Sequence, residues 1–243
     1  MSGPSDSPRG GVDPGEDPIP GRLARLDTCA VSDALDRLAL PGVVLGLAPL
    51  GAPGRRIAGR VVTVAVGPRR DDTPRPHLGA RAIAGAWPGE VIVVDHRGRL
   101  DVSAWGGILS LAATVKKVAG VVVDGACRDL DDARELGFPV FARAGVPVTA
   151  RGRIVEESWN EPVTIGGVAV TPGDYVVADA SGVVFVRSGR AAEIVGLAEA
   201  VAAREAAMAE AVRAGESIVE VMHDTRFEGI RPAGDVEADG QEP

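Results

Sequence analysis

The apolar positions of this chain change rhythm several times. After Thr28, a residue type that caps helix starts, Val31, Ala34, Leu35 and Leu38 recur at helical spacing, and Pro41-Gly42 ends the run. "IAGRVVTVAVG" (57–67) predicts a strand, "LGARAIAGA" (78–86) a short helix, and "PGEVIVVD" (88–95) a turn and a strand. Residues 107–118 return to helical spacing. "GVVVDG" (120–125) is apolar up to its aspartate, which predicts a strand buried on both faces and ending at Asp124. "LDDARELG" (130–137) predicts a helix and "FPVFAR" (138–143) a strand. From 162 to 186, Gly-Gly, Pro-Gly and Ser-Gly turns separate short apolar runs, the pattern of hairpins. A long helix over about 190–214 follows, with Gly215 placed to stop it. Mixed helices and strands with a β-rich end predict a layered α/β fold rather than a simple doubly wound one.

Residues 1–20 and 231–243 are rich in Pro, Gly, Ser and acidic residues and are expected to be disordered tails. Between them, 21–230 reads as one domain. Aromatic residues make up 3% of the 243, so the core must be built from small and β-branched side chains. A formal net charge of −8, with few aromatics to stack on bases, argues against nucleic acid as a partner. Two cysteines are too few for a disulfide framework or a thiolate zinc site. No leader-like segment opens the chain and no apolar run is long enough to cross a membrane, so a cytoplasmic protein is expected.

The densest chemistry lies in "WGGILSLAATVKKVAGVVVDGACRD", residues 105–129. Polar residues just past the C-terminal end of a buried strand are where α/β proteins place ligands. Gly125 would allow a sharp turn there. Arg128 offers a planar fork that matches a carboxylate, and Asp129 a hard oxygen donor. Magnesium needs only one or two protein carboxylates, so the lack of a His/Cys cluster does not argue against a metal. Gly106 and Gly107 open the preceding helix. The N–H groups of Gly107, Ile108 and Leu109 there can hold an anion.

This stretch resembles the signature of the RraA-like family, which includes 4-hydroxy-4-methyl-2-oxoglutarate and 4-carboxy-4-hydroxy-2-oxoadipate aldolases and regulators of ribonuclease activity. "VSDALDRL" (31–38), "GRVVTV" (59–64), "PGEVIVVDHRG" (88–98), "ELGFPVFARA" (135–144) and "VTPGDYVVADASGVVFV" (170–186) extend the resemblance, in order, over about 22–220. It implies a β/β/α swivelling-domain sandwich, a homotrimer or hexamer with sites between subunits, and class II aldolase chemistry with a divalent metal, magnesium foremost and manganese next. Arg128 would bind a 2-oxo acid and stabilise its enolate, and Asp129 would hold the metal. In the aldolases an acid stands twenty-one positions before that arginine; here the position is Gly107. The expected function is cleavage of a carbon–carbon bond in a small 2-oxo acid, by aldolase or oxaloacetate decarboxylase chemistry. The alternatives are a non-catalytic, protein-binding regulator, or a member with altered substrate chemistry.

Asp33 falls in a segment that the family places near the site, and Glu205 matches a glutamate reaching a neighbouring subunit's site; a plain helix surface is the competing reading of each. His77, His96 and His223 lack ligand spacing and read as loop histidines. Cys127 reads as a small packed thiol, and Lys116-Lys117 as a solvated helix end.

Overall fold

The computed structural model describes residues 17–223. In chain order the elements are α1 (Ile19–Leu23), α2 (Thr28–Arg37), β1 (Val43–Val44), β2 (Ala48–Pro49), β3 (Ile57–Pro68), α3 (Ala80–Gly85), β4 (Val91–Ser103), α4 (Gly107–Val115) and β5 (Gly120–Cys127). They continue as α5 (Leu130–Glu135), β6 (Val140–Gly145), β7 (Ile154–Trp159), β8 (Val163–Ile165), β9 (Val168–Val170), β10 (Tyr175–Asp179), β11 (Gly182–Val186), α6 (Ala191–Arg213) and α7 (Ile218–Val221). One mixed sheet runs β1-β11-β10-β3-β4-β5-β6-β2, with β7 also paired to β3. Its centre, β3 to β6, is parallel, and its margins are antiparallel.

Alternation along the strands sorts the core into layers. Val62, Val64, Ile92, Val94, Val121 and Val123 pack with residues of α3, α4 and α5. Their neighbours Val61, Val91, Val93 and Val122 point the other way, onto the β8–β9 hairpin through Val163, Ile165 and Val170. At the β10–β11 end, Tyr175, Val177, Val184 and Val186 pack with α1, α2 and α6. Hairpin, sheet and helices thus give the expected β/β/α order of layers. The core is largely valine and alanine, as the scarcity of aromatics requires.

Several local expectations are corrected. Asp27, not Thr28, caps α2: its carboxylate accepts from the Ala30 N–H at 2.8 Å. Thr28 instead donates through its hydroxyl and its N–H to Asp179, at 2.7 and 2.9 Å, tying α2 to the end of β10. The chain is folded before residue 21. The Asp17 carboxylate accepts from Arg60 at 2.6 Å and from the Tyr175 hydroxyl at 2.8 Å, and Ile19 is buried. The remainder of the expected N-terminal tail, and the whole C-terminal one, lie outside the described residues. His96 lies in β4 and is 1% exposed, not in a loop. Its Nε2 lies 2.8 Å from the Val102 carbonyl, and burial lowers its pKa, so the neutral ring donates there.

The strand expected to stop at Asp124 continues to Cys127, with all eight of its residues buried. Gly125 is a point of close approach rather than a turn. A Cβ there would lie 2.5 Å from His96 Cδ2 and 2.8 Å from the Arg99 carbonyl oxygen. Asp124 faces the hairpin side, where its carboxylate pairs with Arg143 and accepts from the Gly166 N–H at 2.8 Å. It is a structural anchor for the β8–β9 turn.

Removing one partner of a buried ion pair leaves the other charge uncompensated. The Asp124 side chain is 5% exposed and that of Arg143 25%, so partial solvation will soften the loss. Arg143→Ala is expected to cost about 2 kcal/mol in urea denaturation. A change below about 0.5 kcal/mol, the usual range for surface substitutions, would show that Asp124 is not held by this pair.

Candidate active site

The site forms where three chain segments meet at the end of β5. β5 runs into Arg128 and Asp129, which lead into α5. The Arg128 N–H donates to the Trp105 carbonyl at 2.9 Å, which pins this corner to the start of α4. Asp129 adopts a left-handed backbone, φ 54° and ψ 44°, a conformation that Asp tolerates better than most side chains. That turn aims its carboxylate back at α4. Oδ2 accepts from the Gly107 N–H at 3.1 Å, and Arg128 Nε donates to Oδ1 and Oδ2 at 3.0 and 3.2 Å. The helix start therefore does hold an anion, but the anion is the protein's own Asp129. Burial opposes the charge on Asp129. The Gly107 N–H and the guanidinium outweigh it and hold the carboxyl below its ordinary pKa.

A side chain at either glycine would crowd this corner. A Cβ at Gly106 would lie 2.9 Å from Asp129 Oδ2 and 3.2 Å from Arg128 Cγ. One at Gly107 would collide with the Asp132 carboxylate and sit 3.2 Å from Asp129 Cβ. Asp132 lies in the first turn of α5. Its side chain forms no hydrogen bond or ion pair among the described residues.

Gly106, Gly107, Ile108, Leu109, Arg128 and Asp129 line one cavity of about 830 Å³. Sequence reasoning missed other parts of its wall, among them Ala80, Ile83 and Ala84 from α3, Trp105, and Thr149 to Arg151 after β6. Trp105 is fixed by its Nε1–H, which donates to Ser110 Oγ at 3.0 Å, and by stacking on Phe138 with centroids 6.4 Å apart. His77, read as a plain loop histidine, also lines the cavity. Helical spacing in 80–85 was the available signal for the α3 wall; nothing local marked Arg151.

Two candidates lie elsewhere. Asp33 is on α2 and Glu205 on α6, helices that pack together on the α1/α2/α6 side, and neither lines the cavity. Burial and the nearby charges of Asp27 and Asp33 raise the Glu205 pKa. Cys127 is fully buried and burial pushes its thiol pKa upward, which makes it a packed thiol and a poor nucleophile. No group of three or more His, Cys, Asp or Glu suited to a metal occurs among the described residues. A hard cation with few protein ligands remains compatible with Asp129, which is ionised, 35% exposed and at the cavity wall. No helix among the described residues is long and apolar enough to cross a membrane.

The family model described as Aldolase/RraA matches residues 28–185, which include the whole of this corner. The chain belongs to the RraA-like family. Protein DlpA of Legionella pneumophila is 30% identical over 215 residues, which are 87% of this chain but 35% of DlpA, so the chain spans about a third of that relative. A putative 4-hydroxy-4-methyl-2-oxoglutarate aldolase of Halalkalibacterium halodurans is 34% identical over 68% of this chain and 74% of its own length. The crystal structure of Streptomyces coelicolor RraAS2, described as an unusual member of the RNase ES inhibitor RraA family, superposes with a TM-score of 0.71. It is 28% identical, over 85% of this chain and 100% of that one.

The contact at Gly107 sets an expectation for its replacement. Gly107→Asp would crowd a third carboxylate against Asp129 and Asp132, and like charges at close range raise one another's pKa. The variant should be about 1 kcal/mol less stable at neutral pH, in the ordinary range for single substitutions, and the deficit should shrink as pH falls through the carboxyl range. Adding Asp132→Ala should restore the loss in chemical denaturation at neutral pH. A deficit that is independent of pH and of Asp132 would contradict the crowding.

Proposed function

We propose that this site is that of a lyase that cleaves a carbon–carbon bond in a small 2-oxo acid, by aldolase or oxaloacetate decarboxylase chemistry. The observation that carries the reading is the Arg128–Asp129 pair, held by the Gly107 N–H on the wall of the cavity of about 830 Å³. Arg128 is fixed through its backbone and its Nε, which leaves the outer nitrogens of the guanidinium to face a ligand. Those donors suit the carboxylate and keto oxygen of a 2-oxo acid. As the bond breaks, its electron pair moves into the 2-oxo fragment, and the other fragment leaves as a carbonyl compound after losing its hydroxyl proton, or as carbon dioxide; the same guanidinium stabilises the enolate that forms, and a proton then goes to its carbon. Asp129 would hold a magnesium or manganese ion, which when bound supplies a Lewis acid for the developing oxygen charge.

A second reading has its own support. Gly107 leaves the site without an acid at that position, and α4 exposes Ile108, Leu111 and Val115 at 80%, 47% and 74%. An apolar helix face of this kind suits protein contacts, as a ribonuclease-type regulator would need. It equally suits burial in a homotrimer or hexamer, which we propose as the assembly. Light scattering should give three or six chains, and Leu111→Glu should lower that number. An active monomer at working concentration would rule the assembly out.

Pyruvate release from 4-hydroxy-2-oxo diacids and from oxaloacetate, with and without magnesium, tests the lyase directly. Asp129→Asn is expected to abolish turnover and weaken manganese binding by paramagnetic resonance. Arg128→Lys keeps the charge but loses the fork, and kcat/KM should fall about a hundredfold, on the order of 3 kcal/mol. Full turnover after exhaustive chelation would remove the metal from the reading. No release from any 2-oxo acid, with the fold intact, would favour the regulator.

A further inference from the structure

A second cavity adjoins the main one. His77, Ala150 and Arg151 line both, and the second, of about 390 Å³, adds Arg69 and Arg75. Three arginines and a histidine thus line a space that no acidic side chain among the described residues lines, in a chain whose net charge is −8. The cations are weakly compensated. Arg151 forms no ion pair among the described residues. Arg75 meets Asp71 at 2.7 Å and Arg69 meets Asp72 at 3.9 Å, both through exposed carboxylates that line neither cavity. Exposed pairs of this kind hold loosely and can be exchanged for a ligand. A recess lined by one sign of charge concentrates the opposite charge.

The main cavity, which Arg128 and the shared His77 and Arg151 all line, also has an apolar wall that includes Ala80, Ile83, Ala84 and Ile108. At about 830 Å³ the main cavity alone is in the range of sites that enclose drug-sized ligands, well beyond a three-carbon acid. We propose that Arg69, Arg75, His77 and Arg151 form a subsite for the anionic far end of an elongated 2-oxo acid, whose head lies at Arg128 and whose hydrocarbon middle crosses the alanine and isoleucine wall. The far anion is a carboxylate or a phosphate-type group, since arginine forks recognise both. The inference rests on the reading of Arg128–Asp129 as the head-group site.

Three ligands of equal length isolate the far end: 2-oxohexanoate, 2-oxoadipate and 2-oxo-5-phosphonopentanoate. In calorimetry with magnesium, wild type should bind at least one of the two anionic-ended ligands about tenfold or more tighter than 2-oxohexanoate, as expected for hydrogen bonds to a charged group. Which one gains identifies the carboxylate or the phosphate class. Arg75→Ala and Arg151→Ala should each bring that ratio towards unity. Equal binding of all three ligands, or a ratio that survives both substitutions, overturns the subsite. Arg128→Ala separates the two readings: if the head-group assignment is wrong, it changes no affinity while the far-end ratio persists. Inorganic phosphate reads the subsite with no 2-oxo head. Its phosphorus NMR line should broaden with wild type and not with Arg75→Ala/Arg151→Ala, and an unbroadened line with wild type, when none of the three ligands binds, also overturns the proposal.

Discussion

The hydrogen bond from the Gly107 N–H to the Asp129 carboxylate is the contact on which the geometry of the site turns. It joins the first turn of one helix to the residue that introduces the next, and it lies directly beside the β5 end. The helix start favours a negative charge, and Asp129 supplies one while also accepting from Arg128. Each group is thereby prevented from wandering. The guanidinium cannot swing away without losing its neighbour, and the carboxylate is kept ionised by the same two donors. The left-handed backbone at Asp129 is the conformational cost of this arrangement.

The strand that delivers the pair does so because it carries two separate polar positions with opposite destinations. Asp124 turns towards the hairpin layer and is spent on Arg143 and the Gly166 N–H. Arg128 and Asp129 lie just beyond the strand's end, on the cavity side. Between them, Gly125 lets β5 press against His96 and the arch of β4. The apolar neighbours Val121, Val122 and Val123 leave the strand no freedom to shift register, since a slip of one residue would exchange the two layers. Charge placement at the site is thus fixed by valine packing several residues upstream.

Much of this was legible from residue pattern. The all-apolar run of β5, the short apolar runs between turns of β8 to β11 and the helical spacing of α2 and α4 are strong local signals, and each element forms in the stretch its pattern indicated, with β5 running on to Cys127 and α4 stopping at Val115. What failed had non-local causes. β7 was unread because Glu156 and Glu157 interrupt it; Glu156 is used by the Gly79 N–H and Arg81, far away in sequence. Asp124 looked like a strand end because its partner Arg143 is nineteen positions on. Thr28 looked like a cap because nothing local announced Asp179. At the site, the 106–109 and 128–129 groups were legible through the family pattern, whereas His77 and Arg151 reach the cavity only through loops whose course the sequence does not specify.

Gly107 itself is better understood from packing than as a missing residue. Read along the sequence, it is a gap where an acid would stand. In the fold, the space its side chain would enter is filled by the Asp132 carboxylate, from one turn along α5. Asp132 follows Asp129 by three positions, the spacing that puts two side chains on one side of a helix start. A carboxylate therefore does adjoin Gly107, brought by α5 rather than by α4. A Cβ at 107 would require the exposed Asp132 carboxylate to move aside. The geometry of this corner must be judged with Asp132 in place, since its carboxylate lies against Gly107.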